Sequence, residues 1–377
     1  MNHGAYLLSK SRVEQIEDDW FDGNRIDLVS TTYTPGFYDV TGITWEPGAN
    51  SSEKRESLRQ TFGGTDRRLM TIYHFGGDES GDYSTAANGG HDGKYREFAR
   101  ELVGLGLEDT LIVPSHEFNL SWGRYPNDPA NYASGMARLV REMMSVDGAN
   151  FEFVYAPGGN SLGVTEECWP VRADEWESSL PMPYVAPTIY DTSPNYPETL
   201  PTGSELEQLR RDVWNDWHTD KLSMWASFAD SVGAQLAFRE WGCATTDFRH
   251  SSSGDNPYFV RKMFEWFDAN NVAFQTYWNA WTGGGGSGGH RIWPEDETPL
   301  IDTGQAFRDE VSVDLGGDGS SSTSNTDEET DNDSSETLGG YNQPSSGTLN
   351  WHVPLNENFA DIEDDIRSLD QRLRDLE

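Results

Sequence analysis

The feature that most restricts this chain is an alternation. Eight short runs rich in β-branched and aromatic residues are separated by longer stretches whose apolar residues recur at helical spacing. The strand-like runs are Ala5 to Leu8, Ile26 to Thr32, Leu69 to His74, Thr110 to His116, Phe151 to Ala156, Val185 to Tyr190, Gln235 to Glu240 and Val272 to Trp278. The helical ones are Ser11 to Phe21, Ser52 to Phe62, Tyr95 to Leu105, Tyr132 to Met144, Ala173 to Ser179, Ser204 to Val232 and Asn256 to Asn270. Strands alternating with helices build βαβ units, and these give a parallel sheet. Eight such repeats, with polar, aromatic and glycine residues gathered just after each strand, predict a closed (β/α)8 barrel rather than an open doubly wound sheet. In such barrels the chemistry sits at the C-terminal ends of the strands.

The repeats stop near Val313, which sets the first domain at residues 1–313. From Asp314 to Thr337 the chain is, apart from Leu315, Gly, Ser, Thr, Asn and acids, a composition that cannot offset its own ordering entropy. Residues 314–345 are therefore read as an acidic linker, and residues 346–377 as a C-terminal helical segment. Phe359, Ile362, Ile366, Leu369, Leu373 and Leu376 fall at heptad spacing there, which predicts a short amphipathic or coiled-coil helix and, through it, self-association.

Charge narrows the partners. The chain has 27 Lys+Arg against 64 Asp+Glu, a net charge of −37, so nucleic acid would be repelled. Arginine is kept and lysine avoided, a balance that suits high salt, where screening removes the self-repulsion. Mean hydropathy is −0.70, and no run reaches the ~18 apolar residues that a membrane-spanning helix needs. The first ten residues lack a charged region followed by an apolar stretch, so no secretion leader is read in them. Cys168 and Cys243 cannot form a four-ligand zinc site or a disulfide framework; they are read as packing residues, with one disulfide left open.

Strand four ends in Pro114-Ser115-His116-Glu117-Phe118-Asn119-Leu120-Ser121-Trp122. A His-Glu pair is the start of the zinc protease pattern H-E-x-x-H, but that pattern needs a second His at position 120, which is Leu. Strand seven ends in Phe238-Arg239-Glu240-Trp241-Gly242, a second carboxylate in an aromatic setting. Strands four and seven of a closed barrel face each other across the mouth, so Glu117 and Glu240 are expected to share a cleft. Two such carboxylates are what glycosidic cleavage needs, one to protonate the leaving oxygen and one to attack the anomeric carbon. Trp122, Trp241, Trp278 and Trp281 lie at or beyond strand ends, where an indole can stack on a sugar ring. His74, before a Gly-Gly at the end of strand three, is a further residue that could line the cleft.

The stretch Pro114 to Trp122 resembles the acid/base motif R-P-x-H-E-x-N-G-x-W of glycoside hydrolase family 26, the β-mannanases and related β-glucanases of the retaining (β/α)8 clan. The resemblance covers roughly residues 4–311. It implies Glu117 as acid/base, with His116 and Asn119 as its supporting neighbours, and Glu240 as nucleophile. It also implies that Tyr190, in an Ile-Tyr-Asp strand ending, hydrogen-bonds the nucleophile, and that Trp278 is the aromatic platform. The chain departs from the motif at Val113 for Arg and Leu120 for Gly, which leaves the catalytic pair intact and the sugar preference open. A retaining endo-β-glycanase acting on β-mannan, or next on mixed-linkage or other β-glucans, is the expected activity. No organic cofactor is implied, and no metal is assigned to the site. A polymeric substrate would place the protein outside the cell or on its surface.

Two other readings stay open at this point. One is a carbohydrate-binding barrel without catalysis, for which both carboxylates would normally not survive. The other is a serine esterase, because Gly159-Asn160-Ser161-Leu162-Gly163 fits the nucleophile-elbow pattern G-x-S-x-G. That elbow requires a helix straight after the serine, and Val164 to Pro170 is a poor helix. The glycine-rich run from Gly283 to Gly289 has no following lysine, as a phosphate-binding loop would, and reads as a loop after strand eight.

Overall fold

The computed structural model describes residues 1–7, 10–31, 51–73, 75, 83–120, 128–159, 162–246, 251–280, 289–295 and 298–314. The linker at 314–345 (apart from Asp314), the C-terminal segment at 346–377, His74, Trp122, Ser161 and Trp281 lie outside the described residues, as does the glycine run up to residue 288.

Among the described residues, nine strands form one parallel sheet: β1 (Asn2–Tyr6), β2 (Leu28–Thr31), β3 (Arg68–Ile72), β4 (Leu111–Val113), β5 (Glu152–Tyr155), β6 (Tyr184–Val185), β7 (Thr188–Tyr190), β8 (Phe238–Gly242) and β9 (Phe274–Tyr277). Their order is β6-β5-β4-β3-β2-β1-β9-β8-β7. β6 and β7 are two pieces of one barrel position, interrupted at Ala186 and Pro187, where proline withholds an amide donor. They close the ring between them. β6 pairs with β5 and bridges in parallel to Leu236, while β7 pairs with β8 and bridges back to Gly158. Main-chain bonds Ala186 N→Tyr155 O (2.9 Å), Thr188 N→Pro157 O (3.0 Å) and Ala237 N→Val185 O (2.8 Å) complete the junction. The expected (β/α)8 fold is what forms. Gly159 permits the closure, since a Cβ there would meet Thr188 O at 2.1 Å.

The helices are α1 (Lys10–Trp20), α2 (Ser51–Phe62), α3 (Tyr83–Ala87), α4 (Asp92–Gly104), α5 (Pro129–Met144), α6 (Ser204–Val213), α7 (Thr219–Val232), α8 (Pro257–Ala269) and α9 (Ile301–Asp314). Local chemistry starts and stops several of them. Asp128 and Asn256 cap α5 and α8 by accepting from Asn131 N and Phe259 N, each with proline in the first turn. Gly233 ends α7 in the left-handed conformation. The expected helix Ser204 to Val232 is continuous but contains a π-turn at Trp214–His218. The expected helix Ala173 to Ser179 does not form. A 3-10 turn at Pro170–Arg172 and further turns replace it, in a short stretch ended by Pro181, which disfavours helical torsions in the residue before it. α9 was not read from the sequence; its buried Phe307 and Val311 pack on the barrel, with Phe307 against Trp241, Phe264 and Tyr277.

Side chains alternate between two core layers, as the period of two in a strand requires. Leu28, Met70, Ile72, Leu111, Val113, Val154, Ala156, Ala237 and Phe274 fill the barrel interior. Val29, Leu69, Ile112, Phe153, Phe238 and Tyr277 face the helices. Cys168 and Cys243 are buried, unpaired thiols, with desolvation pushing both up from the usual thiol range. Among the described residues no helix is long and apolar enough to cross a membrane.

Candidate active site

The site grows out of the last residues of β4. His116 bridges to Ala156 beyond β5, extending the ladder past the strand, and Glu117 N donates to Ala156 O at 2.8 Å. The chain then turns sharply. Glu117 has φ +44°, a left-handed torsion that costs a residue with a Cβ, and Leu120 N closes the turn on Glu117 O at 3.0 Å. The turn aims the Glu117 carboxylate, 5% exposed, into the barrel mouth.

Glu240 arrives from β8. One oxygen each of Glu117 and Glu240 and a ring nitrogen of His116 all lie within 4.8 Å of one another. His116 Nε2 is 3.4 Å from Glu240 Oε2 and 3.6 Å from Glu117 Oε2, so the imidazole stands between the two carboxylates. Both Glu240 oxygens carry a donor: Tyr190 OH donates to Oε1 and Arg239 Nη1 to Oε2. Tyr190 is in turn backed by the His290 ring, 4.3 Å away between centroids. His290 is anchored through Nδ1 to Cys243 O at 2.7 Å. Trp278 is half-buried and packs at a tilt against Tyr6 with centroids 4.0 Å apart, beside the Arg239 guanidinium at 5.6 Å.

Behind the mouth lies a second polar cluster. Asp191, fully buried, accepts from Tyr196 OH (2.9 Å), Asn256 Nδ2 (2.7 Å) and Ser253 Oγ, and pairs with His218 Nε2 (3.0 Å). Burial by itself would raise the Asp191 carboxyl; the contacts from His218, Ser253 and Asn256 outweigh it and hold the group below the usual carboxylate range. The π-turn is what carries His218, and Asp191 N→Gly242 O (2.9 Å) ties the cluster to β8. Asp191 directly follows Tyr190, so these contacts hold the strand end that presents it.

Glu117, Glu240, His116, Tyr190 and Trp278 thus come together at one mouth. Two other expected residues do not join them in the same way. Trp241 is wholly buried on the helix side, donating to Gln275 Oε1 at 2.6 Å and packed among Phe259, Phe264, Phe267, Tyr277 and Phe307. It is a core residue and not a sugar platform. The cause is a register shift between Phe238 and Trp241 against β9, which reverses the alternation. Asn119 clasps a neighbouring loop instead of standing free in the cleft: Nδ2 donates to Gly158 O at 3.0 Å and Oδ1 accepts from Gly158 N at 2.6 Å. Arg239, His290 and Tyr6 were not singled out from the sequence. Only Arg239, adjacent to a candidate carboxylate, offered any signal there.

His116, Glu117 and Glu240 are the ligand-type group among the described residues that a cation could use. A guanidinium already occupies that neighbourhood, since Arg239 Nη1 contacts Glu240 and lies 3.4 Å from His116 Nε2. Burial pushes Arg239 down to about 10, opposed by Tyr190, Glu117 and Tyr6, so it is still a cation at neutral pH. The esterase pattern loses its structural basis: the sheet is a closed barrel, and Gly163–Thr165 is a 3-10 turn instead of the helix an elbow needs.

No protein-family model matches the chain, and no curated protein sequence does. Solved structures do. A modular endo-β-1,4-mannanase from Cellulomonas fimi, described with glycoside hydrolase family 26, aligns with a TM-score of 0.55 at 18% identity, covering 84% of this chain and 73% of that one. The catalytic domain of a family 26 endo-β-1,4-mannanase from a Bacillus species aligns at 0.50 and 17% identity, covering 82% and 85%. At such identities the likeness is one of fold, and this chain has the (β/α)8 fold that those mannanases share.

Proposed function

We propose that the protein is a retaining endo-β-glycanase of the family 26 type, cleaving its substrate by double displacement with Glu117 as acid/base and Glu240 as nucleophile. The observation that carries this reading is the approach of the two carboxylates to within 4.8 Å from opposite sides of one barrel mouth. Such short separations go with retention, whereas inversion leaves room for a water at about 6.5–9.5 Å.

In the first step Glu240 attacks the anomeric carbon while the glycosidic bond breaks, and the Glu117 proton passes to the leaving oxygen. In the second, Glu117 takes a proton from water, whose oxygen displaces Glu240 from the sugar. Tyr190 holds Glu240 ionised and turned toward the sugar, a hydrogen bond to a charge contributing about 1.5–3 kcal/mol. Trp278 offers a ring face for the sugar. β-Mannan is the first substrate expected, since the enzymes of like fold are named mannanases; mixed-linkage and other β-glucans come next. A substrate of this size is met outside the cell or at its surface. A binding barrel without catalysis is disfavoured because both carboxylates and the tyrosine on one of them are present together.

The test is a panel of mannan, lichenan, xylan and laminarin in molar salt, followed by Glu117→Ala and Glu240→Ala on whichever is cleaved. Each variant should lose several orders of magnitude in turnover while staying folded, and azide should rescue Glu240→Ala by giving the inverted glycosyl azide. Near-wild-type turnover in either variant overturns the assignment.

A further inference from the structure

Consecutive residues of a regular strand point to opposite faces. Arg239 and Glu240 do not. Phe238 pairs with Gln275 and Trp241 with Tyr277, so three steps along β8 match two along β9. This bulge places both Arg239 and Glu240 at the mouth and sends Trp241 to the helices. The result is a guanidinium 1% exposed, in contact with the carboxylate of the very next residue.

Stability alone does not explain such a residue. Among the described residues, Arg239 Nε and Nη2 are buried with no hydrogen-bond partner. Burying a cation with two idle donors is destabilising, so its location points to the site and not to packing. Val113, where the resembled motif has arginine, is wholly buried and supplies no charge.

Resting on the reading of Glu240 as nucleophile, we infer that Arg239 is a positioning residue that keeps Glu240 anionic between turnovers and eases its departure from the glycosyl–enzyme ester. Glu240 begins as a carboxylate, becomes an uncharged ester when its oxygen bonds the anomeric carbon, and regains its charge when water displaces it. A fixed cation at Oε2 favours the charged ends of that cycle over the ester. Among the described residues, the other titratable or charged groups around Glu240 are His116 and Glu117 from the end of β4, Tyr190 from β7 with His290 behind it, and Tyr6 from β1.

The experiment uses the full chain in molar salt with 2,4-dinitrophenyl β-mannobioside and β-cellobioside, whose leaving group needs no proton, so that the acid limb of kcat/KM reports the nucleophile and not Glu117. Arg239→Gln should move that limb up by about one pH unit or more and produce a burst of dinitrophenolate as the ester accumulates. Arg239→Lys should hold the limb near its wild-type position. If Arg239→Gln does not fold, as judged by near-ultraviolet circular dichroism, Arg239→Met fills similar volume without the donors and should show the same displacement. An acid limb unmoved in the folded neutral variant, or Lys behaving like Gln or Met, overturns the inference. Glu240→Ala with azide is run beside them. If it stays active, the nucleophile assignment itself falls; if it is inactive and rescued while the Arg239 variants keep the wild-type limb, only the role of Arg239 falls.

Discussion

Glu117 offers a direct measure of how much backbone strain the turn after β4 holds. Its φ of +44° lies in the left-handed region, which costs a residue bearing a Cβ about 1–2 kcal/mol. The torsion cannot relax locally, because Glu117 N is tied to Ala156 O at 2.8 Å and Glu117 O to Leu120 N at 3.0 Å. Comparing Glu117→Gly with Glu117→Ala isolates this effect, since both lack the carboxylate and both should be inactive. Glycine escapes the left-handed cost but loses about 0.5–1 kcal/mol more entropy on folding. The glycine variant should therefore be the more stable of the two by roughly 0.5–1 kcal/mol, or about 1 °C in Tm for a domain of this size. This is the reverse of the order expected at an ordinary strand or helix position. Calorimetry and urea unfolding in molar salt read the difference. An alanine variant as stable as the glycine variant, or more so, would refute the claim that the acid/base residue sits on a strained turn.

Tyr190→Phe should lower kcat roughly 10- to 100-fold without abolishing turnover, the kinetic equivalent of one hydrogen bond to a charged oxygen; full activity in that variant would remove Tyr190 from the mechanism. Asp191→Asn takes away the charged acceptor shared by Tyr196, Ser253, Asn256 and His218 and should cost about 1–3 kcal/mol at neutral pH. Because the folded-state pKa of Asp191 is depressed, its contribution is present above the ordinary carboxylate value and fades as pH falls through the folded-state value. Wild type and variant should converge in urea midpoint toward acid pH, and a gap constant with pH would contradict the charge-based account. The heptad seam from Phe359 to Leu376, with Glu363, Asp364 and Asp365 beside it, should self-associate only when salt screens those acids. Light scattering in molar salt should find the full chain larger than a monomer and a chain ending at Asp314 monomeric and equally active.

Several features of the fold were legible because they depend on short stretches. Each of the eight strand-like runs overlaps a strand of the barrel, since period-two burial and β-branched side chains leave a local mark. α8 starts at Asn256, the residue that opens its expected range, whereas α5 starts earlier than the expected Tyr132, at Pro129 behind its cap Asp128. The helix α9 escaped because it follows the last strand after a long loop, and the expected helix at Ala173 failed because so short a run, ended by Pro181, cannot hold a helix by itself. Within the site, Glu117 and Glu240 were readable as carboxylates at opposing strand ends, and Tyr190 and Trp278 follow strand parity.

What the amino-acid order by itself determined, then, was the barrel and the two strand ends that carry acids. Tertiary structure decided the rest. One extra residue in β8 turned Trp241 from the mouth into the core and brought Arg239 in beside Glu240. A loop partner at Gly158 occupied Asn119, and a π-turn in the α6–α7 helix delivered His218 to Asp191. The physical reason is common to all three. A bulge, a clasp or a π-turn is a choice between backbone hydrogen-bond registers of nearly equal local energy, and only contacts with residues distant in sequence select among them.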